Sequence, residues 1–200
     1  MPEKLLIAYD VDDCIVPMAE KAVEYYNSVY EPRIGLENFY GDAESWGVSD
    51  IKIASSRINE YLAGEGQADL INPYPEAKRA IRALSKVHRG IIVTGRMEFM
   101  RPVTDSMVDT HFSGVFEDVI LTSHFSDNPV SKGQVCRESG VDVIIDDALV
   151  HCYACIEESP DTVALLMDKP WNRVESLPSG IVRCLNWLDV RREVSKIARR

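Results

Sequence analysis

The chain has 200 residues, 46% of them hydrophobic, and a formal net charge of −10 at pH 7. This length suits one α/β domain with a substantial core and a small inserted subdomain. The acidic balance argues against the broad basic surface that binds a nucleic-acid polymer or an anionic membrane, and leaves a single nucleotide or small phosphate ester as a possible ligand. Neither a membrane-length apolar run nor a signal-peptide pattern is found. We therefore expect a cytoplasmic protein that does not contact a membrane. The sequence leaves its oligomeric state open, and a homodimer is one of the options.

The five cysteines are an odd number in a chain that can build an ordinary core, which predicts reduced thiols. Cys152 and Cys155 form a lone CxxC pair, and three-residue spacing on a helix favours core packing over zinc or redox chemistry. Cys14 follows an acidic cluster directly and is predicted to be a small packed residue beneath it.

The first predicted strand, Leu5–Tyr9, ends in Asp10-Val11-Asp12-Asp13. Because the strand is ending, Asp10 and Asp12 can both turn into the crevice where open α/β sheets bind ligands. Two carboxylates this close repel each other unless a cation lies between them, and hard oxygen ligands suit Mg²⁺. An acidic turn that caps a helix beginning near Met18 is an equally good explanation of this segment taken alone.

About sixty residues separate the first strand from the next predicted core helix, Pro75–Val87, far more than a βα connection needs. Amphipathic stretches at Glu20–Val29 and Ser49–Leu62 predict a small helical cap over the carboxyl edge of the sheet. This segment is rich in aromatic residues on which a planar ligand could stack, and Trp46 is our candidate for that contact. Packing within the cap explains Trp46 equally well.

The strand Gly90–Val93 leads into Thr94-Gly95-Arg96. A hydroxyl group and free backbone N–H groups at the carboxyl end of a strand can hold a phosphate group. The following strand is predicted at Asp118–Leu121.

Lys132 opens the predicted helix Ser131–Ser139, and the strand Val141–Ile145 then delivers Asp146-Asp147. Lys132 could neutralise a phosphate group and the nearby acids, and one of the two aspartates could complete a metal site. The remaining predicted elements are the helix Leu149–Glu157, the strand Val163–Met167 and a basic terminal helix at Arg191–Arg200. Strands that alternate with helices in this way predict a doubly wound parallel sheet of five strands.

The ordered set of motifs resembles the haloacid dehalogenase-like (HAD) hydrolase superfamily. The four motifs are Asp10-Val11-Asp12-Asp13-Cys14, Thr94, Lys132 and Asp146-Asp147, and together they cover nearly the whole chain. The chain departs from the superfamily in carrying Cys14 where Thr or Val is usual. Thr94-Gly95-Arg96, the segment Asp168–Arg173 and Asn186-Trp187 further resemble the 5′(3′)-deoxyribonucleotidase group, whose insert is a helical cap of the C1 class.

The resemblance implies a role for each motif residue. Asp10 would be the nucleophile, and Asp12 the general acid that later activates water. Mg²⁺ would be held by the Asp10 carboxylate, the Asp12 backbone carbonyl and Asp147, with Asp146 in support. Thr94, the Gly95 N–H group and Lys132 would hold the phosphoryl group.

The resemblance also implies a domain division and a function. Residues 1–18 and 71–200 would form the HAD-like catalytic core and residues 19–70 the cap. The expected function is Mg²⁺-dependent hydrolysis of a nucleoside monophosphate through an aspartyl-phosphate. The alternatives are a phosphatase acting on another small ester such as a sugar phosphate, and a catalytically silent binding protein.

Overall fold

The structure, a computed structural model, describes residues 4–123 and 130–199. Its centre is a single sheet in which all neighbouring strands run parallel. The strands are β1 (Leu6–Tyr9), β2 (Arg89–Thr94), β3 (Val119–Leu121), β4 (Val143–Asp146), β5 (Val163–Met167) and β6 (Ile181–Cys184). They lie in the order β3-β2-β1-β4-β5-β6.

The parallel α/β sheet is confirmed, but the strand count predicted from the sequence was wrong. The sheet has six strands instead of five, because Ile181–Cys184 pairs with β5 along its edge. The central strand β1 is a continuous apolar run because both its faces are covered. The edge strand β6 has Val182 exposed and Arg183 half-buried, so it lacks that apolar signature.

The seven α-helices of the described residues are α1 (Met18–Val29), α2 (Ile51–Ala63), α3 (Pro75–Leu84), α4 (Arg101–Phe112), α5 (Lys132–Ser139), α6 (Leu149–Glu158) and α7 (Trp187–Ile197). Local residues explain where several begin and end. Ser131 accepts a hydrogen bond from Gln134 N at the start of α5, and Gly140 ends that helix with a φ of 66°. The polar helix α4 was not predicted from the sequence. Arg200, the last residue of the predicted basic helix, lies outside the described residues.

Helices cover both faces of the sheet. Side chains of α3 and α7 join Ile7 and Tyr9 of β1 in one hydrophobic cluster. On the opposite face, α5 and α6 pack against Leu6 and Ala8. Cys152 and Cys155 are fully buried in that second cluster, which confirms the core-packing interpretation of the CxxC pair.

The segment between β1 and α3 is helical, as predicted. It contains α1, α2 and two 3₁₀ helices at Leu36–Asn38 and Glu65–Ile71. Aromatic rings pack within it, with Tyr25 stacked on Tyr61 at 4.4 Å between ring centres. We refer to the helical part of this segment, from the start of α1 to the end of the 3₁₀ helix Glu65–Ile71, as the cap. Within the described residues no helix combines the length and apolar character needed to cross a bilayer.

The order of the strands determines where a ligand can bind. The chain passes from β1 to β2 and β3 on one side, and then returns to place β4 on the other side of β1. Such a reversal opens a crevice at the carboxyl ends of the central strands. Asp10, Thr94 and Asp146 all lie at this edge of the sheet.

Candidate active site

The three aspartates after β1 have different surroundings. Asp13 has a φ of 59°, a left-handed conformation that aspartate tolerates better than most residues, so the chain turns sharply after Asp12. The Asp13 carboxylate accepts hydrogen bonds from Ala19 N at 2.9 Å and from the Tyr40 hydroxyl at 3.3 Å. Asp13 therefore caps α1, as the helix-capping alternative predicted, whereas Asp10 and Asp12 line a cavity.

Lys132 joins Asp10 to the end of β4. Its buried ammonium group lies 2.7 Å from Asp10 Oδ1 and 2.7 Å from Asp146 Oδ2. Burial alone would lower the pKa of Lys132, but the negative charges of Asp10 and Asp146 raise it overall, so the amine is a cation. Asp146 also accepts a hydrogen bond from Ala148 N at 2.9 Å. Its position fits the supporting role expected from the resemblance.

Asp147 is held from the opposite side by two residues that follow β5. Trp171 Nε1 donates to Asp147 Oδ2 at 2.9 Å, and Asn172 Nδ2 donates to the Asp147 carbonyl at 2.7 Å. Burial raises the pKa of Asp147, and the nearby Asp13 and Asp10 raise it further. The resemblance described in the sequence analysis included the segment Asp168–Arg173 but gave Trp171 and Asn172 no role.

Three side chains form a compact group that fits a metal ion: oxygen or sulfur atoms of Asp10, Cys14 and Asp147 lie within 4.8 Å of one another. Burial raises the pKa of Asp10 to about 6, with Asp146 and Asp12 adding to the effect and Lys132 opposing it. Burial also raises the pKa of the Cys14 thiol, so this sulfur is protonated and a poor ligand. Asp10 and Asp147 are hard oxygen donors in a cluster of acids, which suits Mg²⁺.

The turn that follows β2 forms another part of the cavity wall. Thr94 is fully buried, and its hydroxyl oxygen accepts a hydrogen bond from Arg96 N at 3.4 Å. Gly95 and Arg96 border the cavity. Gly95 is therefore next to the cavity, and its contact with a phosphate group stays a prediction.

Arg96 forms an ion pair with Asp12 that the sequence analysis missed. Arg96 Nη2 lies 2.7 Å from Asp12 Oδ1, and Nε lies 3.0 Å from Oδ2. Thr-Gly-Arg was noted as a motif, so the signal was present, but the partner of the arginine is 84 positions away in the sequence.

The cavity has a volume of about 550 Å³, within the usual range for small-molecule sites. Its two ends differ in chemistry. The core end is lined by Asp10, Asp12, Gly95, Lys132 and Asp147, whereas the cap end is lined mainly by apolar and aromatic side chains. Ser55 and Asn59 of α2 are polar groups at that cap end.

Trp46 lies at the cap end of the cavity but is only 2% exposed. Its indole Nε1 donates to Phe39 O at 3.2 Å, and its ring packs edge-on against Tyr26 at 4.9 Å. Packing within the cap accounts for these contacts. Tyr40 and Phe99 also border the cavity and are 50% and 44% exposed, so they offer a ligand more ring surface than Trp46 does.

No family model and no curated protein matches the sequence, but solved structures match the fold. A haloacid dehalogenase-like family hydrolase from Streptococcus pneumoniae has a TM-score of 0.66 at 16% identity, over 96% of this chain and 98% of that one. The HAD-hydrolase YfnB from Bacillus subtilis, solved bound to magnesium, has a TM-score of 0.62 at 13% identity, over 96% and 99%. The L-2-haloacid dehalogenase PA0810 has a TM-score of 0.58 at 12% identity, over 96% and 100%.

These similarities identify the fold as that of the HAD-superfamily hydrolases, as the motifs predicted. The matched structures include two described as dehalogenases, so the fold by itself does not select a reaction. A function has to be argued from the residues at the carboxyl edge of the sheet.

The acidic group at Asp10 and Asp147 predicts a stabilising effect of Mg²⁺. An ion that binds only the folded protein stabilises it by about 2.7 kcal/mol at 100 times its Kd. For 200 residues this corresponds to a Tm increase of about 5–10 °C. We expect Asp147→Ala to remove this increase in a thermal melt with and without Mg²⁺.

Asp142→Ala is the matched control, because Asp142 lies at the opposite end of β4 from Asp147 and accepts a hydrogen bond from Leu6 N. It should keep the full increase in Tm caused by Mg²⁺.

Because the folded-state pKa of Asp10 is raised to about 6, the contribution of Asp10 to metal-free stability is lost as the pH rises from about 4 towards 7. The Mg²⁺ shift should therefore grow over the same window. A full shift in Asp147→Ala would exclude Asp147 as an important ligand and favour Asp146.

Proposed function

We propose that the protein is a Mg²⁺-dependent phosphomonoesterase whose substrate is a nucleoside monophosphate. The observation that carries the proposal is the convergence of Asp10, Asp12, Lys132 and Asp147 on one end of the cavity. Phosphoryl transfer needs an in-line nucleophile, neutralisation of charge and a proton donor for the leaving group. These four residues supply all three.

In the proposed reaction, a carboxylate oxygen of Asp10 attacks phosphorus and the ester P–O bond breaks. The leaving oxygen takes a proton from Asp12, which gives the free alcohol and an aspartyl-phosphate. Asp12, now a carboxylate, takes a proton from water as that water attacks phosphorus. Inorganic phosphate leaves and Asp10 is regenerated.

Lys132 has two roles in this scheme. Its contact with Asp10 Oδ1 fixes the carboxylate, so that the other oxygen can be directed at phosphorus. Its positive charge also faces the phosphoryl group, together with the Gly95 N–H group. Mg²⁺, held by Asp10, Asp147 and the Asp12 carbonyl, would neutralise the charge of the phosphoryl oxygens.

The cap end of the cavity supports a substrate with a planar, weakly polar leaving group. Phe99 and Tyr40 present aromatic rings, and Ile58 and Leu62 present aliphatic surface. A sugar phosphate would place many hydroxyl groups against this surface and leave them without hydrogen-bond partners. A nucleobase can stack on an aromatic ring, with Ser55 and Asn59 of α2 available for its polar edge.

Two other functions are less well supported. A dehalogenase needs neither a group of acidic side chains that holds a metal ion nor a carboxylate corresponding to Asp12. A catalytically silent binding protein would have no use for a fully buried Lys132 between two aspartates, since burying such charges is costly.

Turnover of a panel of phosphate esters with and without Mg²⁺ tests the proposal. We expect deoxynucleoside monophosphates to be hydrolysed with a higher kcat/KM than sugar phosphates of equal charge, and only when Mg²⁺ is present. Equal or better turnover of sugar phosphates would reject the nucleotidase proposal and leave the phosphatase. Absence of turnover for every ester would reject both.

Removal of an aromatic side chain at the cap end tests base recognition. Stacking on a base contributes about 1–3 kcal/mol, so the loss of a stacking ring should lower kcat/KM for a nucleotide about 5- to 150-fold. We expect this loss in Trp46→Ala if Trp46 contacts the base, and in Phe99→Ala if the more exposed ring does. A generic aryl phosphate should be less affected, and steady-state kinetics on both esters measures the difference.

Tm separates contact from packing in these variants. Trp46 is buried in the cap, so Trp46→Ala should lower Tm whether or not it contacts the substrate. Trp46→Phe retains most of the packing and serves as its control. Unchanged nucleotide preference in both Trp46→Ala and Phe99→Ala would contradict base stacking on these rings.

A further inference from the structure

Arg96 is a buried cation whose whole guanidinium group is engaged by the protein. Arg96 and its partner Asp12 both border the cavity, but the Arg96 side chain is 0% exposed and that of Asp12 is 17% exposed. Nε and Nη2 donate to the Asp12 carboxylate, and Nη1 donates to the Thr104 hydroxyl at 2.9 Å. A substrate in the cavity can therefore reach Asp12 but not the Arg96 guanidinium.

The far side of the arginine is anchored just as firmly. The Thr104 hydroxyl donates its single proton to Met100 O at 2.8 Å, so only its lone pairs face Arg96. Thr104 lies on α4, outside the cap. The guanidinium is thus held between α4 and the residues that follow β1, without a contact from the cap among these hydrogen bonds.

The contacts also distinguish the two carboxylate oxygens of Asp12. Oδ1 accepts from Nη2 at 2.7 Å and from Nε at 3.2 Å, whereas within the described residues Oδ2 accepts one hydrogen bond, from Nε at 3.0 Å. We call this contact, in which Nε and Nη2 of Arg96 donate to both oxygens of Asp12, the fork. The fork constrains both the position and the rotation of the carboxylate. The less engaged oxygen, Oδ2, has more lone-pair capacity left for a proton.

We propose that Arg96 is a positioning residue that orients the Asp12 carboxylate for proton transfer to the leaving group, without contacting the substrate itself. The inference rests on the proposed phosphatase function. It separates Arg96 from the neighbouring Gly95, whose N–H group faces the phosphoryl group in that function. Loss of the fork should therefore impair leaving-group departure and leave phosphate binding intact.

Two esters with similar rings and different leaving groups test this division. 4-Nitrophenyl phosphate releases a stable phenolate that needs little protonation, whereas benzyl phosphate releases an alkoxide that needs a proton. A general acid contributes about 10²–10⁴-fold, so we expect Arg96→Met to lower kcat/KM for benzyl phosphate by about 10- to 10³-fold. For 4-nitrophenyl phosphate we expect a loss below about fivefold. The inhibition constant of inorganic phosphate should not change.

Three further variants complete the experiment. Arg96→Lys keeps the charge but loses the fork, and Thr104→Val loses only the anchor; both should show the same selective loss at smaller magnitude. Arg89→Met removes a two-pronged ion pair with Glu117 at the opposite end of β2 and should leave both esters unaffected. In an Asp12→Asn background, Arg96→Met should add less than about threefold for benzyl phosphate.

Equal losses on both esters, a raised inhibition constant for phosphate, or additive losses in the double variant would each overturn the inference and leave the phosphatase function standing. If Arg96→Met does not fold, the same criteria apply to Arg96→Lys and Thr104→Val. Failure of the wild-type protein to hydrolyse any phosphate ester with Mg²⁺, deoxynucleoside monophosphates included, would overturn the proposed function, and this inference with it.

Discussion

Asp10→Asn should abolish turnover of every phosphate ester that the wild-type protein hydrolyses. The amide is close to the carboxylate in shape, and its carbonyl oxygen can still accept a hydrogen bond from Lys132. It is a poor nucleophile, however, so no aspartyl-phosphate should form. Steady-state assays with a sensitive phosphate readout measure the loss, and circular dichroism checks that the fold is retained.

Asp142→Asn provides the comparison, because Asp142 lies at the opposite end of β4 and bonds Leu6 N instead of facing the cavity. It should retain turnover even if its Tm is lower. Mass spectrometry has to confirm that the introduced asparagine has not reverted to aspartate by deamidation. Substantial activity in a preparation shown to be free of reversion would mean that Asp10 is not the nucleophile.

The second large effect is expected for Asp12→Asn, which should slow turnover about 10²–10⁴-fold, the usual cost of losing a general acid or base. The mutation also leaves the buried Arg96 without its charged partner. Removing one member of a fully buried pair costs about 3–5 kcal/mol. Asp12 is 17% exposed, so we expect a smaller loss of stability here and a lower Tm. Rates should therefore be compared at a temperature where both proteins are folded.

The leaving group provides an internal control for Asp12→Asn. An ester with a good leaving group depends little on protonation, so its kcat/KM should fall less than that of an alkyl ester. A uniform loss on both would indicate that the variant is impaired by the disturbed Arg96 environment instead of by missing proton transfer. Wild-type rates in Asp12→Asn would rule out Asp12 as the acid.

The central strands and their terminal acids were predictable because of how a parallel sheet is built. β1, β4 and β5 are buried on both faces, so each is a continuous apolar run, and the polar residues that follow must lie at the carboxyl edge. Asp10 and Asp146 could therefore be placed together. β6 escaped prediction because it is a short edge strand whose two middle residues, Val182 and Arg183, are not buried, and α4 because its sequence is largely polar.

Side-chain partners were much less predictable than strand ends. The pairing of Arg96 with Asp12, and the contacts of Trp171 and Asn172 with Asp147, depend on how loops from different strands converge. Sequence patterns carry the direction of a strand but not the course of a loop. The same limit applies to Trp46: the sequence left open whether this ring packs within the cap or contacts a ligand, and could not name Phe39 and Tyr26 as its neighbours.

The central position of β1 has a consequence for biosynthesis. β1 is made first, but its neighbours are β2, whose Arg89 pairs with Leu6, and β4, whose Val143 pairs with Ile7. During synthesis, Leu6–Tyr9 stays unpaired until β2 and β4 have both been made, and long-range strand pairing of this kind forms slowly. A nascent chain arrested before β4 would hold a fully synthesised Asp10 with no Lys132–Asp146 pair beside it. The group of charged residues at the carboxyl edge would thus be completed late in translation.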